Sequence, residues 1–146
     1  MSEFKESEVP ARYQDPATIE TILRESKTIA VVGLSSDRSR PSNSVARYLQ
    51  AHGYTIVGVN PSETVLLGEP CYPSLGAIPF PVDLVDVFRR SEFTPAIAEE
   101  AAQIGAKALW LQLDIINLEA GATAERGGLR VVMDRCTEVE HARLFR

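Results

Sequence analysis

The chain has 146 residues, a formal net charge of −5, 45% hydrophobic residues and two cysteines. A chain of this size can bury one substantial core without covalent staples; its negative balance argues against a general nucleic-acid binder or a membrane-surface protein, and so few cysteines do not make a secreted disulfide framework. The polar N-terminus has no apolar signal core and no apolar run approaches the ~20 residues of a membrane helix, so a cytoplasmic, reduced setting is expected.

Met1 to Gln14 is charged and reads as a flexible N-terminal arm before a domain spanning residues 15–146. Asp15 as N-cap and Pro16 at the first helical position open a short amphipathic helix that ends near Ser26 and turns Ile19, Ile22 and Leu23 to one face. "TIAVVGL", from Thr28, is a near-continuous β-branched run, the pattern of a strand buried on both faces. A helix then begins near Ser42, carries Val45, Ala46 and Leu49 inward, and stops at Gly53. "YTIVGV" is the second strand; a short strand around Glu69–Tyr72 follows, then proline- and glycine-broken loop or one helical turn. "VDLVDVF" (Val82–Phe88) is the next buried strand. Thr94-Pro95 caps a helix with Ile97, Ala101 and Ile104 inward, and "AKALWLQL" returns as a strand. Asn117 opens a helix to about Arg126, closed by Gly127-Gly128, before the strand "LRVVMD". Thr137-x-x-Glu140 reads as a capping box opening a final helix. Strands alternating with helices predict a single Rossmann-like α/β domain, with a mainly parallel sheet and helices on both faces.

The segment Gly33–Ser42 leaves the first strand at its carboxyl end, where open parallel sheets bind ligands, and feeds a helix. A helix N-terminus offers N–H groups and partial positive charge to an anion. Ser35, Ser36, Ser42 and Ser44 add hydroxyls, Arg38 and Arg40 add charge, and Arg47, Arg89 and Arg90 lie further on. No G-K-[ST] follows, so this is not a Walker loop. A surface loop whose serines cap a helix explains the same residues, and the loop alone leaves both readings open. A dinucleotide site asks for G-x-G-x-x-G and an acid about 20 residues on. Here Gly33 stands alone and the second strand ends in Asn60-Pro61. A carboxylate at that end would repel a ribose bearing a 3′-phosphate, so uncharged Asn60 suits a more highly phosphorylated ligand, or none.

Taken together, "IAVVGLSSDRSRPSNSVARYL", "GYTIVGVNP", "LGEPCYPSL", "VDLVDVFRR", "GAKALWLQL" and "VVMDRCTEVEH" cover most of Thr28 to His141. In that order they resemble the small bacterial and archaeal CoA-binding proteins, whose domain is similar to the N-terminal CoA-binding domain of the succinyl-CoA synthetase α-subunit. The resemblance implies that Gly33, Leu34, Ser35 and Ser36 line a pyrophosphate turn, with Arg40, Pro41 and Ser42 at the helix start. It implies that Asn60 and Pro61 flank the adenosine end, that Val87, Phe88, Arg89 and Arg90 border adenine and pantetheine, and that Trp110, Leu111 and Gln112 lie near the pantetheine path. Relatives often carry a basic residue after the Asn-Pro pair, where this chain has Ser62. The implied ligand is coenzyme A or an acyl-CoA, held by a non-catalytic carrier, storage or sensing module, with no nucleic acid, membrane or metal involved. The chemistry agrees: a pyrophosphate and a 3′-phosphate call for a helix N-terminus and arginine forks.

Cys136 follows the last strand at a helix N-terminus, a position that favours thiolate and would allow exchange with a CoA disulfide; a small buried hydrophobe is the plainer reading. Cys136 and His141 supply only two potential ligands, against the three protein ligands of a catalytic zinc. Asp83, Asp86 and Asp134 interrupt or end strands, and Asp134 could orient Arg135 or a backbone N–H. Two rival functions stay open: a small NAD(P)-dependent oxidoreductase or epimerase, which the missing glycines and acid oppose, and a ligand-free interaction module.

Overall fold

In the computed structural model, which describes residues 9–145, the apolar runs become the central strands. These are β1 (Thr28–Val32), β2 (Thr55–Val59), β5 (Leu84–Val87), β6 (Ala108–Leu111) and β7 (Arg130–Val132). Both faces of this sheet are covered, which is why its strands read as continuous rather than alternating hydrophobic sequence. They pair in parallel, with Ile29 of β1 opposite both Ile56 and Leu84. Beyond β2 lies β4 (Glu69–Tyr72), also parallel, and an antiparallel edge strand β3 (Val65–Leu66) completes the order β3-β4-β2-β1-β5-β6-β7.

Strand alternation divides the core into two layers. Ile29, Val31, Leu84 and Trp110 face the helices α1 (Pro16–Glu25) and α2 (Pro41–Ala51), while Ala30, Val32, Val85 and Leu109 face α3 (Thr94–Gln103) and α4 (Leu118–Arg126). The closing helix α5 (Thr137–Leu144) packs on the α1–α2 side. Each fully buried aliphatic side chain contributes about 1.5–3 kcal/mol relative to exposure. The expected α/β architecture, with helices on both faces, is the one observed.

Local signals explain the element ends. The Asp15 carboxylate accepts from the Thr18 N–H at 3.0 Å, and the Asn117 side chain accepts from the Ala120 N–H at 2.9 Å, so both predicted N-caps form. Two expected caps do not. Thr94 is the first residue of α3 and its hydroxyl donates to the Ser91 carbonyl at 2.7 Å. Thr137 is likewise the first residue of α5, not its cap, because its hydroxyl is engaged by buried partners beneath the helix. The expected loose arm is also corrected from Val9 onward. Tyr13 is buried, its hydroxyl donates to Glu125 at 2.6 Å, and its carbonyl accepts from the Met133 N–H at 3.0 Å. Gly121 makes room for it, since a Cβ there would lie 2.7 Å from the Tyr13 ring. The rest of that expected arm, Met1 to Glu8, lies outside the described residues.

Candidate functional site

The chain leaving β1 runs to β2 on one side, and the chain leaving β5 runs to β6 on the other. Strand order therefore reverses between β1 and β5, and the two departing loops open a crevice at the carboxyl edge. Gly33 sets how closely they approach. Its φ is +88°, and a Cβ at this position would meet the Phe88 carbonyl oxygen at 2.8 Å and the Arg89 Cδ at 3.1 Å. Only glycine satisfies both the backbone angle and the contact.

The loop that follows is held from three directions. The Ser35 N–H donates to the Ser42 hydroxyl at 3.0 Å, the Asn43 amide donates to the Ser35 carbonyl at 2.8 Å, and the Asn60 amide donates to the Leu34 carbonyl at 3.0 Å. Asp37 closes the tip by accepting from the Ser39 N–H and hydroxyl, bonds that hold its carboxyl below the usual range. With the loop pinned, α2 starts at Pro41, and no side chain caps it. Its N-terminal charge is thus turned to the crevice without a side-chain cap.

The resulting cleft has a volume of about 700 Å³, within the roughly 300–1,000 Å³ range of small-molecule sites. One wall is the start of α2, with Arg40, Pro41, Ser42 and Val45; a second is Phe88, Arg89 and Arg90 after β5; a third is Gln112 to Ile115 after β6, with Cys136 closing it. Arg89 lies over the Phe93 ring at 4.6 Å, and Arg90 pairs with Glu92 at 3.9 Å while both stay exposed. Three guanidinium groups and a helix N-terminus outweigh the one carboxylate of the lining, Asp114, so the cleft is positive although the chain is negative.

Of the residues singled out in the sequence, Gly33, Ser35, Arg40, Pro41, Ser42, Phe88, Arg89, Arg90 and Gln112 come together in the cleft. Leu34 and Val87 do not contribute side chains to it, since both are fully buried in the core. Asn60 acts behind the loop as its brace, and Ser36 and Pro61 are exposed outside the lining. Trp110 and Leu111 are core, and the Trp110 indole donates to the Arg135 carbonyl at 2.7 Å. Sequence reading missed Val45 and Leu113–Ile115. Asp114 adopts a left-handed φ of +68°, and its N–H donates to Asp134 at 2.7 Å. That bond, from an acid two residues beyond β7, ties the segment after β6 to the wall.

Beneath the cleft, Asp86 is completely buried and accepts from Gln112 Nε2 at 2.6 Å and from the Thr137 hydroxyl at 3.1 Å. Burial pushes its carboxyl up to about 7, although those two bonds pull it down. Burial also pushes the Cys136 thiol up, outweighing the nearby Val139 and Glu138 N–H groups and reinforced by Asp86. Burial thus outweighs the helix N-terminus at this thiol, on the side of the plainer of the two readings. His141 and His52 lie together behind α2, with ring centroids 5.1 Å apart, away from the cleft lining. Among the described residues no cluster of His, Cys, Asp and Glu is arranged to hold a metal, and no helix is long and apolar enough to cross a membrane.

Known proteins share this fold. A CoA binding domain model matches residues 27–142. The chain is 44% identical to the uncharacterized protein YneT of Bacillus subtilis, over 86% of this chain and 93% of that one. It superposes on a hypothetical protein from Pyrococcus horikoshii with a TM-score of 0.89 and 38% identity, each chain covered in full. It is also 29% identical to an ADP-forming acetate–CoA ligase of Archaeoglobus fulgidus, over 75% of this chain but 18% of the ligase. The glycine-turned loop, the α2 start and the arginine-bearing segment after β5 all fall within the matched residues, and the chain belongs to the CoA-binding domain family.

Proposed function

We propose that the chain binds coenzyme A, or an acyl-CoA, in the cleft between the β1 and β5 loops, and holds it without turning it over, as a carrier, storage or sensing module. The observation that carries this reading is the convergence of the uncapped α2 start with Arg40, Arg89 and Arg90 on one open crevice. Helix N–H groups and guanidinium forks suit the pyrophosphate and the 3′-phosphate, and Phe88 offers an apolar face to adenine or the arm. The chemistry-bearing groups nearby are not poised for reaction. Asp86 lies below the surface, committed to Gln112 and Thr137, and the Cys136 thiol is held in its protonated form by burial.

The NAD(P) alternative is disfavoured by Asn60. Its amide donates to the loop and its oxygen accepts from the Ser62 N–H at 2.8 Å, so the position that would carry a ribose-binding acid is committed to structure. Thermal unfolding with CoA, NAD and NADP tests the assignment. CoA at about 100 times its dissociation constant stabilises the fold by roughly 2.7 kcal/mol, and the recovered CoA is chemically unchanged. Stabilisation by NAD but not CoA would replace this reading with the alternative.

A further inference from the structure

Gln112 is a wall of the cleft, yet it is only 4% exposed and both of its amide hydrogens point away from solvent. Nε2 donates to Asp86 Oδ1 at 2.6 Å and to the Thr137 hydroxyl at 2.9 Å. The Thr137 hydroxyl in turn donates to Asp86 Oδ2 at 3.1 Å, closing a ring of three buried groups. An ionised carboxylate only accepts, so the ring admits one orientation of the amide. A flipped Gln112 would set its carbonyl oxygen against Asp86 at the same short distance, two acceptors facing each other in a low-dielectric interior. With Nε2 spent twice, the hydrogen-bonding group that Gln112 has left for an occupant of the cleft is its carbonyl oxygen.

Resting on the CoA reading, we propose that Gln112 is a specificity-determining acceptor for an amide N–H of the pantetheine arm, and that buried Asp86 is the positioning residue that fixes its polarity. The arm is the part of the ligand that supplies such donors, through two secondary amides, whereas the phosphates supply acceptors and are served by Arg40, Arg89 and Arg90. The walls at α2 and after β5 thus receive anionic oxygen, and the wall after β6 receives N–H. A buried acceptor that meets an oxygen instead of its N–H loses its partner, and discrimination of this kind is strong.

The test uses CoA and two analogues, each with one arm amide N–H replaced by an ester oxygen, measured at alkaline pH, where Asp86 is ionised. The wild type binds at least one analogue about tenfold or more weakly than CoA. Asp86→Asn gives Gln112 a donor to face, allows the flipped amide, and collapses that ratio toward one. Thr137→Val removes a buried hydrogen bond but leaves Asp86 to orient the amide, so it lowers the melting temperature while keeping the ratio. A purely structural role would leave the ratio unmoved in both variants. If Asp86→Asn does not fold, Gln112→Met serves instead and also brings the ratio toward one. Equal binding of CoA and both analogues by the wild type, or an undiminished ratio in folded Asp86→Asn, overturns the proposal while the CoA reading stands. Failure of the wild type to bind CoA at all overturns that reading, and this one with it.

Discussion

Gly33 and Asn60 both shape the loop that follows β1, one through its backbone angle and one through its amide. Gly33→Ala must force a φ of +88° on an L-residue and push its Cβ to 2.8 Å from the Phe88 carbonyl. A loss of about 2 kcal/mol or more is expected, read as a drop of several degrees in melting temperature together with weakened CoA binding. Asn60→Asp keeps the shape but cannot donate to the Leu34 carbonyl. It therefore loosens the loop and weakens CoA binding without creating NAD affinity, which parallel titrations check. Cys136 gives a chemical prediction. Because burial raises its thiol, incubation with CoA disulfide at neutral pH yields a mixed-disulfide adduct slowly by mass spectrometry, and raising the pH accelerates it. Rapid adduct formation at neutral pH, absent from Cys136→Ser, would contradict the burial argument. At this scale the sequence was legible where a residue acts locally. Asp15 and Asn117, each capping its own helix, are examples. It was silent where a partner arrives from another element: Thr137 has the spacing of a cap, but Asp86 and Gln112 take its hydroxyl.

The main elements were readable because the central strands β1, β2, β5, β6 and β7 are buried on both faces and helices such as α1 and α2 carry one apolar face, two patterns that the sequence displays directly. What period could not show is the two-residue β3, too short to display one, or the docking of Val9–Gln14, which depends on Tyr13 meeting Gly121 in α4. Strand alternation did contain an unused clue: adjacent Val87 and Phe88 point to opposite faces, so only one of them can line the cleft. Tyr13→Phe removes the hydroxyl shared with Arg12 and Glu125 and lowers the melting temperature by a few degrees, about 1 kcal/mol for the lost bond. The seam between α2 and α5 is pH-sensitive. His141 is buried, its Nδ1 lies 2.9 Å from the Tyr48 hydroxyl, and desolvation with nearby His52 lowers its pKa below 6.5. The unfolded chain binds that proton more readily than the native one, so the stabilisation is complete above pH 6.5 and lost as pH falls through the depressed native value. Melting temperature followed from neutral to mildly acidic pH falls accordingly, and His141→Phe flattens the slope.

Over the whole molecule, a net charge of −5 surrounds a cleft that presents Arg40, Arg89 and Arg90 beside a helix N-terminus. Such a surface repels polyanions in general while focusing a small anion into one place. CoA binding should therefore weaken as salt rises, since exposed guanidinium groups are screened over about 10 Å at 0.1 M ionic strength. On the CoA reading, this charge, and not the sheet edge alone, selects the ligand. Isothermal titration of CoA into the wild type and into Arg40→Ala/Arg89→Ala/Arg90→Ala, with melting temperature as the control for folding, tests it most directly. One CoA per chain is expected for the wild type, and an affinity at least about a hundredfold lower in the triple variant, given roughly 1.5–3 kcal/mol for each charged hydrogen bond lost. CoA bound equally well by the folded triple variant, or no binding by the wild type, would contradict it.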